Sequence, residues 1–125
     1  MLDHVSLGTA NLARASAFYT SVFAQLGYKL QHSDATQTIY GAGDAWSFCL
    51  YPAPGDAPLN GARTHVAITA PSQHAVDAFH AQAEALGAAS LRKPGLRPDI
   101  NDRYYGAMLH DLDHHTIEVV HWARS

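Results

Sequence analysis

The chain repeats itself. His4 and His65 stand 61 residues apart, as do Val5 and Val66 and as do Phe18 and Phe79, while Gly27 and Gly87 stand 60 apart. Self-similarity at a fixed offset marks a duplicated supersecondary unit. A unit of about 60 residues has little core of its own, so two copies should pack on each other.

Each copy reads strand, helix, then three strands. Residues 2–8 alternate, with Leu2, His4, Ser6 and Gly8 on one face and Asp3, Val5 and Leu7 on the other. Asn11 is placed to cap a helix whose apolar residues Leu12, Ala15, Phe18, Tyr19, Val22, Phe23 and Leu26 recur at steps of three and four, and Gly27 ends it. Strands are expected at 28–32, 36–40 and 46–51, separated by turn formers. Residues 53–62, rich in Pro and Gly, form the linker. Residues 64–69 alternate again, Ser72 caps a second helix that stops at Gly87, and strands are expected at 88–92, 104–110 and 115–122. The offset widens to 69 between Cys49 and Glu118. The extra residues form a polar insertion from Arg92 to Arg103, the kind of long loop that often serves binding.

Composition narrows the function. Of the 125 residues, 47 % are hydrophobic and 15 % charged, which suits one globular domain. A net charge of −3 gives no reason to expect nucleic acid or an anionic membrane as partner. No apolar run approaches the roughly 20 residues that span a bilayer, and the N-terminus lacks the basic and apolar regions of a signal peptide. The single cysteine, Cys49, suits a reducing compartment. A cytoplasmic location is expected.

Glu118 sits awkwardly, a carboxylate inside the strand-like run Thr116-Ile117-Glu118-Val119-Val120. An unpaired charge there is costly, so a cation, a proton or a metal should accompany it. His4, His65 and Glu118 share their faces with small or mildly polar neighbours, whereas Val5, Leu7, Val66, Ile68, Ile117 and Val119 occupy the helix-facing sides. Two imidazoles and a carboxylate on the walls of one cup make a divalent metal site with open positions.

At these residues the chain resembles the vicinal oxygen chelate superfamily of glyoxalases, extradiol dioxygenases and bleomycin- and fosfomycin-resistance proteins. The resemblance rests on Asp3-His4-Val5, Thr64-His65-Val66 and Asp111-Leu112-Asp113-His114-His115-Thr116-Ile117-Glu118, and it covers nearly the whole chain. Pro94-Gly95-Leu96-Arg97-Pro98 with Tyr104-Tyr105-Gly106-Ala107 resembles a bacterial subgroup of small glyoxalase-like proteins. The implied fold is α+β, two βαβββ modules (about 1–52 and 63–125) forming a curved mixed sheet as a cup with helices outside. The implied metal ligands are His4, His65 and Glu118, holding Fe, Mn, Zn or Ni. The implied function is that of a metal-dependent lyase or dioxygenase acting on an oxygenated small molecule. Non-catalytic binding of an antibiotic-like molecule and thiol transfer of the fosfomycin-resistance type are the alternatives. Modules in this superfamily often pair across a homodimer, so His4 can meet His65 and Glu118 within a chain or between chains.

One position departs from the pattern. Glyoxalase I members carry a fourth ligand, usually Glu, where this chain has Cys49. A typical glyoxalase I is therefore not expected. Cys49 reads as a small buried hydrophobe, with a soft metal donor as the other reading. Glu118 and Tyr105 are expected in catalysis, and Arg97, Tyr104 and Tyr105 in substrate contact, with Tyr105 turned into the cup. Arg97 is suited to a bidentate grip on a carboxylate or phosphate, against a salt bridge with Asp99 or Asp102. His74 and His80 on the second helix are expected in solvent, and Trp46 and Trp122 in packing.

Overall fold

The computed structural model describes residues 1–124. The first module contains β1 (Val5–Thr9), α1 (Leu12–Ala24), β2 (Lys29–Ser33), β3 (Thr38–Gly41) and β4 (Phe48–Pro52). The second contains β5 (His65–Thr69), α2 (Gln73–Ala85), β6 (Ala89–Leu96), β7 (Tyr104–His110) and β8 (Thr116–Trp122). The repeat is therefore structural, and the fold is α+β. Two boundaries move. His4 precedes β1 rather than lying inside it, and β6 runs on through Arg92 to Leu96, into the segment expected as a loop, with register shifts between Ser90 and Arg92 and between Arg92 and Gly95. Among the described residues no helix is long and apolar enough to cross a membrane.

Local chemistry explains both helices. The Asn11 side chain accepts the Arg14 amide at 3.0 Å, and the Ser72 hydroxyl accepts the Ala75 amide at 3.0 Å. Past α1 the Tyr28 amide donates back to the Phe23 carbonyl at 3.1 Å, and past α2 the Ala88 amide donates to the Ala83 carbonyl at 3.0 Å. These closures turn through Gly27 (φ +83°) and Gly87 (φ +104°), a left-handed conformation that a side chain disfavours. Ala15, Phe18, Tyr19, Val22 and Phe23 of α1 and Ala75, Val76, Phe79 and Ala83 of α2 are buried. Phe23 sits among the rings of Tyr19, Tyr28, Tyr40, Phe48 and Phe79, with centroids 5.0–6.4 Å apart. Phe79 comes from the other module, so this cluster welds the two.

The strands form two four-stranded sheets, ordered β1-β4-β3-β2 and β5-β8-β7-β6. In each, the first strand runs parallel to the last of its module and the remaining pairs are antiparallel. β1 and β5 are sheet edges and do not pair with each other within the chain. A cleft of about 620 Å³ opens along them, bordered by His4, Val5, His65 and Val66 and floored by Phe23 and Phe48. Val5, Leu7, Val66 and Ile68 pack against the core as expected but stay half-buried, with Val5, Val66 and Ile68 bordering the cleft.

A buried polar lock fixes the modules at the other end of β1. Asp113, in the turn before β8, accepts the Thr9 hydroxyl at 2.6 Å and the Ala10 amide at 3.0 Å. His115 Nε2 meets the Gly8 carbonyl at 2.7 Å. Asp111 accepts the Tyr19 hydroxyl at 2.5 Å and the amides of Asp113 and His115 at 2.9 Å each. Burial and the neighbouring Asp111 push the Tyr19 pKa well above its ordinary value, so Tyr19 is a neutral donor.

Tyr19→Phe leaves Asp111 short of one buried donor and should cost about 1–3 kcal/mol. Phe23→Ala opens the shared aromatic cluster and should cost about 3–5 kcal/mol. Denaturant unfolding measures both. An unchanged midpoint in Tyr19→Phe contradicts the lock.

Candidate functional site

The second sheet carries the most chemistry. Glu118 lies in the middle of β8, beside Ala67 of β5 and Met108 of β7. Its side chain is 15 % exposed, so the carboxylate is largely withdrawn from solvent. His65 opens β5, and its Nε2 stands 3.5 Å from Glu118 Oε1. That is too long for a good hydrogen bond. The other carboxylate oxygen is engaged, since Glu118 Oε2 accepts the Tyr104 hydroxyl at 2.8 Å. The same hydroxyl oxygen accepts from Arg92 Nη2 at 2.7 Å, and the guanidinium stands 5.4 Å from the Tyr104 ring centroid. Strands β5 to β8 thus each contribute one residue to a polar chain from His65 to Arg92.

The two tyrosines reverse the expected orientation. Tyr104, not Tyr105, is turned toward Glu118. The Tyr105 hydroxyl reaches α2 and donates to Asp77 at 2.6 Å, which pushes its pKa up to about 12. Gly106 is the physical reason. A Cβ at that position would lie 2.5 Å from the Tyr104 hydroxyl and 2.7 Å from the Val119 carbonyl, so the absent side chain lets the Tyr104 ring lie along the strand. Neighbouring strand residues do face opposite sides, and the glycine two positions on decides which of the pair is inward.

The first sheet carries His4 and Cys49. His4 Nδ1 lies 2.7 Å from Asp3 Oδ1, a carboxylate–imidazole pair that leaves Nε2 outward. Cys49 pairs with Ser6 across β1 and β4, as Glu118 pairs with Ala67 in the second copy, which bears out the equivalence of Cys49 and Glu118. Cys49 is buried, and burial raises its thiol pKa, so the free side chain is a neutral thiol. A shallow pocket of about 250 Å³ joins His4 and Cys49 to Ile39, Trp46 and Tyr51. Among the described residues of one chain, no group of three His, Cys, Asp or Glu side chains is placed to hold a metal. His65 and Glu118 come together; His4, just ahead of β1, borders the same cleft as His65 but does not join the pair, because β1 and β5 are separate edges.

Other expectations shift with context. Arg97 grips Asp99 through two hydrogen bonds of 2.8 and 2.6 Å, which raises the pKa of the arginine and lowers that of the aspartate. His80 is buried rather than solvated, with Ser90 at 2.7 Å and Glu84 at 3.3 Å, and burial lowers its pKa. Trp46 is 50 % exposed and Trp122 43 % exposed, so neither is a core residue. Trp46 stacks on His32, and Trp122 meets Tyr104 edge-on. Sequence reasoning did not find Arg92. Its signal was the bulge of β6 around a basic residue, visible only once the pairing of β6 and β7 is known.

Comparison with known proteins agrees with this architecture. A glyoxalase/bleomycin resistance protein from Albidiferax ferrireducens T118 is 26 % identical, with a TM-score of 0.85, covering 97 % of this chain and 98 % of its own. A glyoxalase/bleomycin resistance protein/dioxygenase family enzyme from Burkholderia phytofirmans PsJN is 18 % identical, with a TM-score of 0.73, covering 96 % and 97 %. A genomically encoded fosfomycin resistance protein from Listeria monocytogenes is 21 % identical, with a TM-score of 0.71, covering 97 % and 92 %. The last two likenesses bear on the fold alone. No curated protein matches the chain. The family model of the Glyoxalase/Bleomycin resistance protein/Dioxygenase superfamily matches residues 1–119. With its duplicated modules matched over nearly its whole length, the chain belongs to that superfamily.

Proposed function

We propose that this protein is a metal-dependent enzyme of glyoxalase or dioxygenase type, acting on an oxygenated small molecule by lyase or dioxygenase chemistry. In this reading its site is shared across a homodimer, with His4 of one chain facing His65 and Glu118 of the other. The single observation that carries the metal reading is the 3.5 Å separation of His65 Nε2 and Glu118 Oε1. Two donors each about 2.1 Å from one divalent ion, at angles between octahedral and tetrahedral, stand roughly 3.0–3.4 Å apart. The observed 3.5 Å is just beyond that range, so a shift of a few tenths of an ångström would bring both donors onto one cation. One imidazole and one carboxylate leave a metal under-coordinated, and His4, with Nε2 outward and Asp3 behind Nδ1, supplies the missing donor type.

The dimer reading rests on the edges. β1 and β5 present unpaired backbone and half-buried Val5, Leu7, Val66 and Ile68. Such edges call for a partner. A two-fold pairing would join one chain's first sheet to the other's second, closing two cups.

When bound, the metal supplies Lewis acidity to a substrate oxygen. Glu118 and His65 hold their donor atoms at the cup floor, Tyr104 fixes the carboxylate, and Trp46, Tyr51 and Trp122 offer apolar contact for the substrate body. Glyoxalase I chemistry is not part of the proposal, because Cys49 stands at the place of the carboxylate base.

One observation favours a second reading, in which the protein binds a small molecule without chemistry. Cys49 is a buried neutral thiol at a ligand position, which leaves the first sheet poorer in donors than the second.

Protein prepared without chelator should hold a divalent metal measurable by elemental analysis. Adding that metal to stripped protein should raise its melting temperature. His65→Ala should abolish both effects. Trace metal after reconstitution, or binding indifferent to His65→Ala, turns the account to the second reading. Oxygen uptake with catechol-type compounds separates dioxygenase from lyase: consumption supports the first, and none supports the second. Sedimentation should find a dimer in solution, whereas a stable monomer that binds metal contradicts the shared site.

A further inference from the structure

We propose that Arg92 is a positioning residue, which sets the direction of a hydrogen-bond chain ending on Glu118. The chain is Arg92 Nη2 to Tyr104 hydroxyl oxygen (2.7 Å), and Tyr104 hydroxyl to Glu118 Oε2 (2.8 Å). A guanidinium has donors and no acceptor, and a phenol has one hydrogen. Tyr104 must therefore accept from Arg92, and its only proton is left for Glu118. The carboxylate can only receive on Oε2. Oε1 is then the free oxygen, and it is the one turned to His65.

The surroundings leave the phenol no other course. Tyr104 is 1 % exposed, and its ring lies over Gly106, where a Cβ would overlap the hydroxyl. Arg92 is held in place by the ring face and by a weak 3.5 Å contact to the Gly106 carbonyl. No carboxylate forms an ion pair with Arg92 among the described residues. Its charge is thus available to polarise the phenol. Hydrogen bonds linked in this way strengthen one another in a low-dielectric site. The consequence for metal affinity rests on the proposed function above, while the directional chain itself does not.

Two measurements test the proposal and keep those parts separate. The first uses metal-free protein and follows the Glu118 side-chain carboxyl carbon by NMR. Arg92→Lys retains a donor and should stay near the wild-type shift. Arg92→Met and Tyr104→Phe should both move it, with the fold intact by amide spectra. An unmoved signal in Arg92→Met overturns the chain, whether or not the protein binds metal. The second measures Zn²⁺ affinity by competition with a chromophoric chelator. Arg92→Met should weaken binding by about 10- to 100-fold, as expected when a group behind a ligand is lost. Arg92→Lys should recover most of it, and the Arg92→Met/Tyr104→Phe double variant should be no worse than the weaker single. Additive losses, or no rescue by lysine, overturn the positioning role. If the carboxyl signal responds as expected but the wild type binds no Zn²⁺, the chain stands, and the metal reading falls with the affinity part of this inference.

Discussion

The buried carboxylates Asp111 and Asp113 set the geometry on which the rest depends. They sit in the turn before β8, yet their partners are Tyr19, Thr9 and Ala10 of the first module. A carboxylate removed from water is tolerable only when its oxygens are satisfied. Here both are, by two hydroxyls and three backbone amides in all. The lock joins the far end of β1 to the second module while Phe23 and Phe79 meet between the helices. With the modules fixed there, the β1 and β5 edges part around the cleft. The donor groups are consequently divided, His4 and Cys49 on one sheet and His65 and Glu118 on the other.

That division gives the molecule its functional logic. A site complete within one chain would need no partner. Here each sheet has half of the proposed constellation and an open edge, and the two-fold pairing proposed above would meet both needs at once. The second sheet holds the better prepared half. Its carboxylate is oriented by a phenol, the phenol is oriented by a guanidinium, and a glycine makes room for the phenol. On the first sheet, Asp3 orients His4, but the equivalent of Glu118 is a cysteine with no comparable support.

Much of the fold was legible in the residues. The 61-residue offset, the helix periodicity from Leu12 to Phe23 and the caps at Asn11 and Ser72 all appear where the sequence puts them, because each is a matter of spacing along the chain. The alternation around Glu118 likewise foretold which side its neighbours face. What escaped depended on side-chain space and contacts that the strand and helix patterns do not encode. Tyr104 and Tyr105 are alike as strand residues, and the space left by Gly106 on the Tyr104 side tells them apart. His80 looks solvated on a helix until Ser90 of β6 covers it. For Arg97 the sequence leaves a ligand grip and a bond to a nearby aspartate equally open, and the fork closes on Asp99. Asp111 and Asp113 carry no local sign that they lie buried against the first module.

Sharing of the proposed metal site between subunits is tested most directly by mixed dimers. A chain with His4→Ala, combined with a chain carrying Glu118→Ala, still brings one intact His4 to one intact His65 and Glu118 across the interface. Each variant alone forms homodimers with both sites broken. The mixed dimer should therefore bind one metal ion per pair of chains, while each homodimer binds none. A mixed dimer that binds no more than the homodimers would contradict the shared site, and with it the reading of β1 and β5 as edges built to be closed by a second copy.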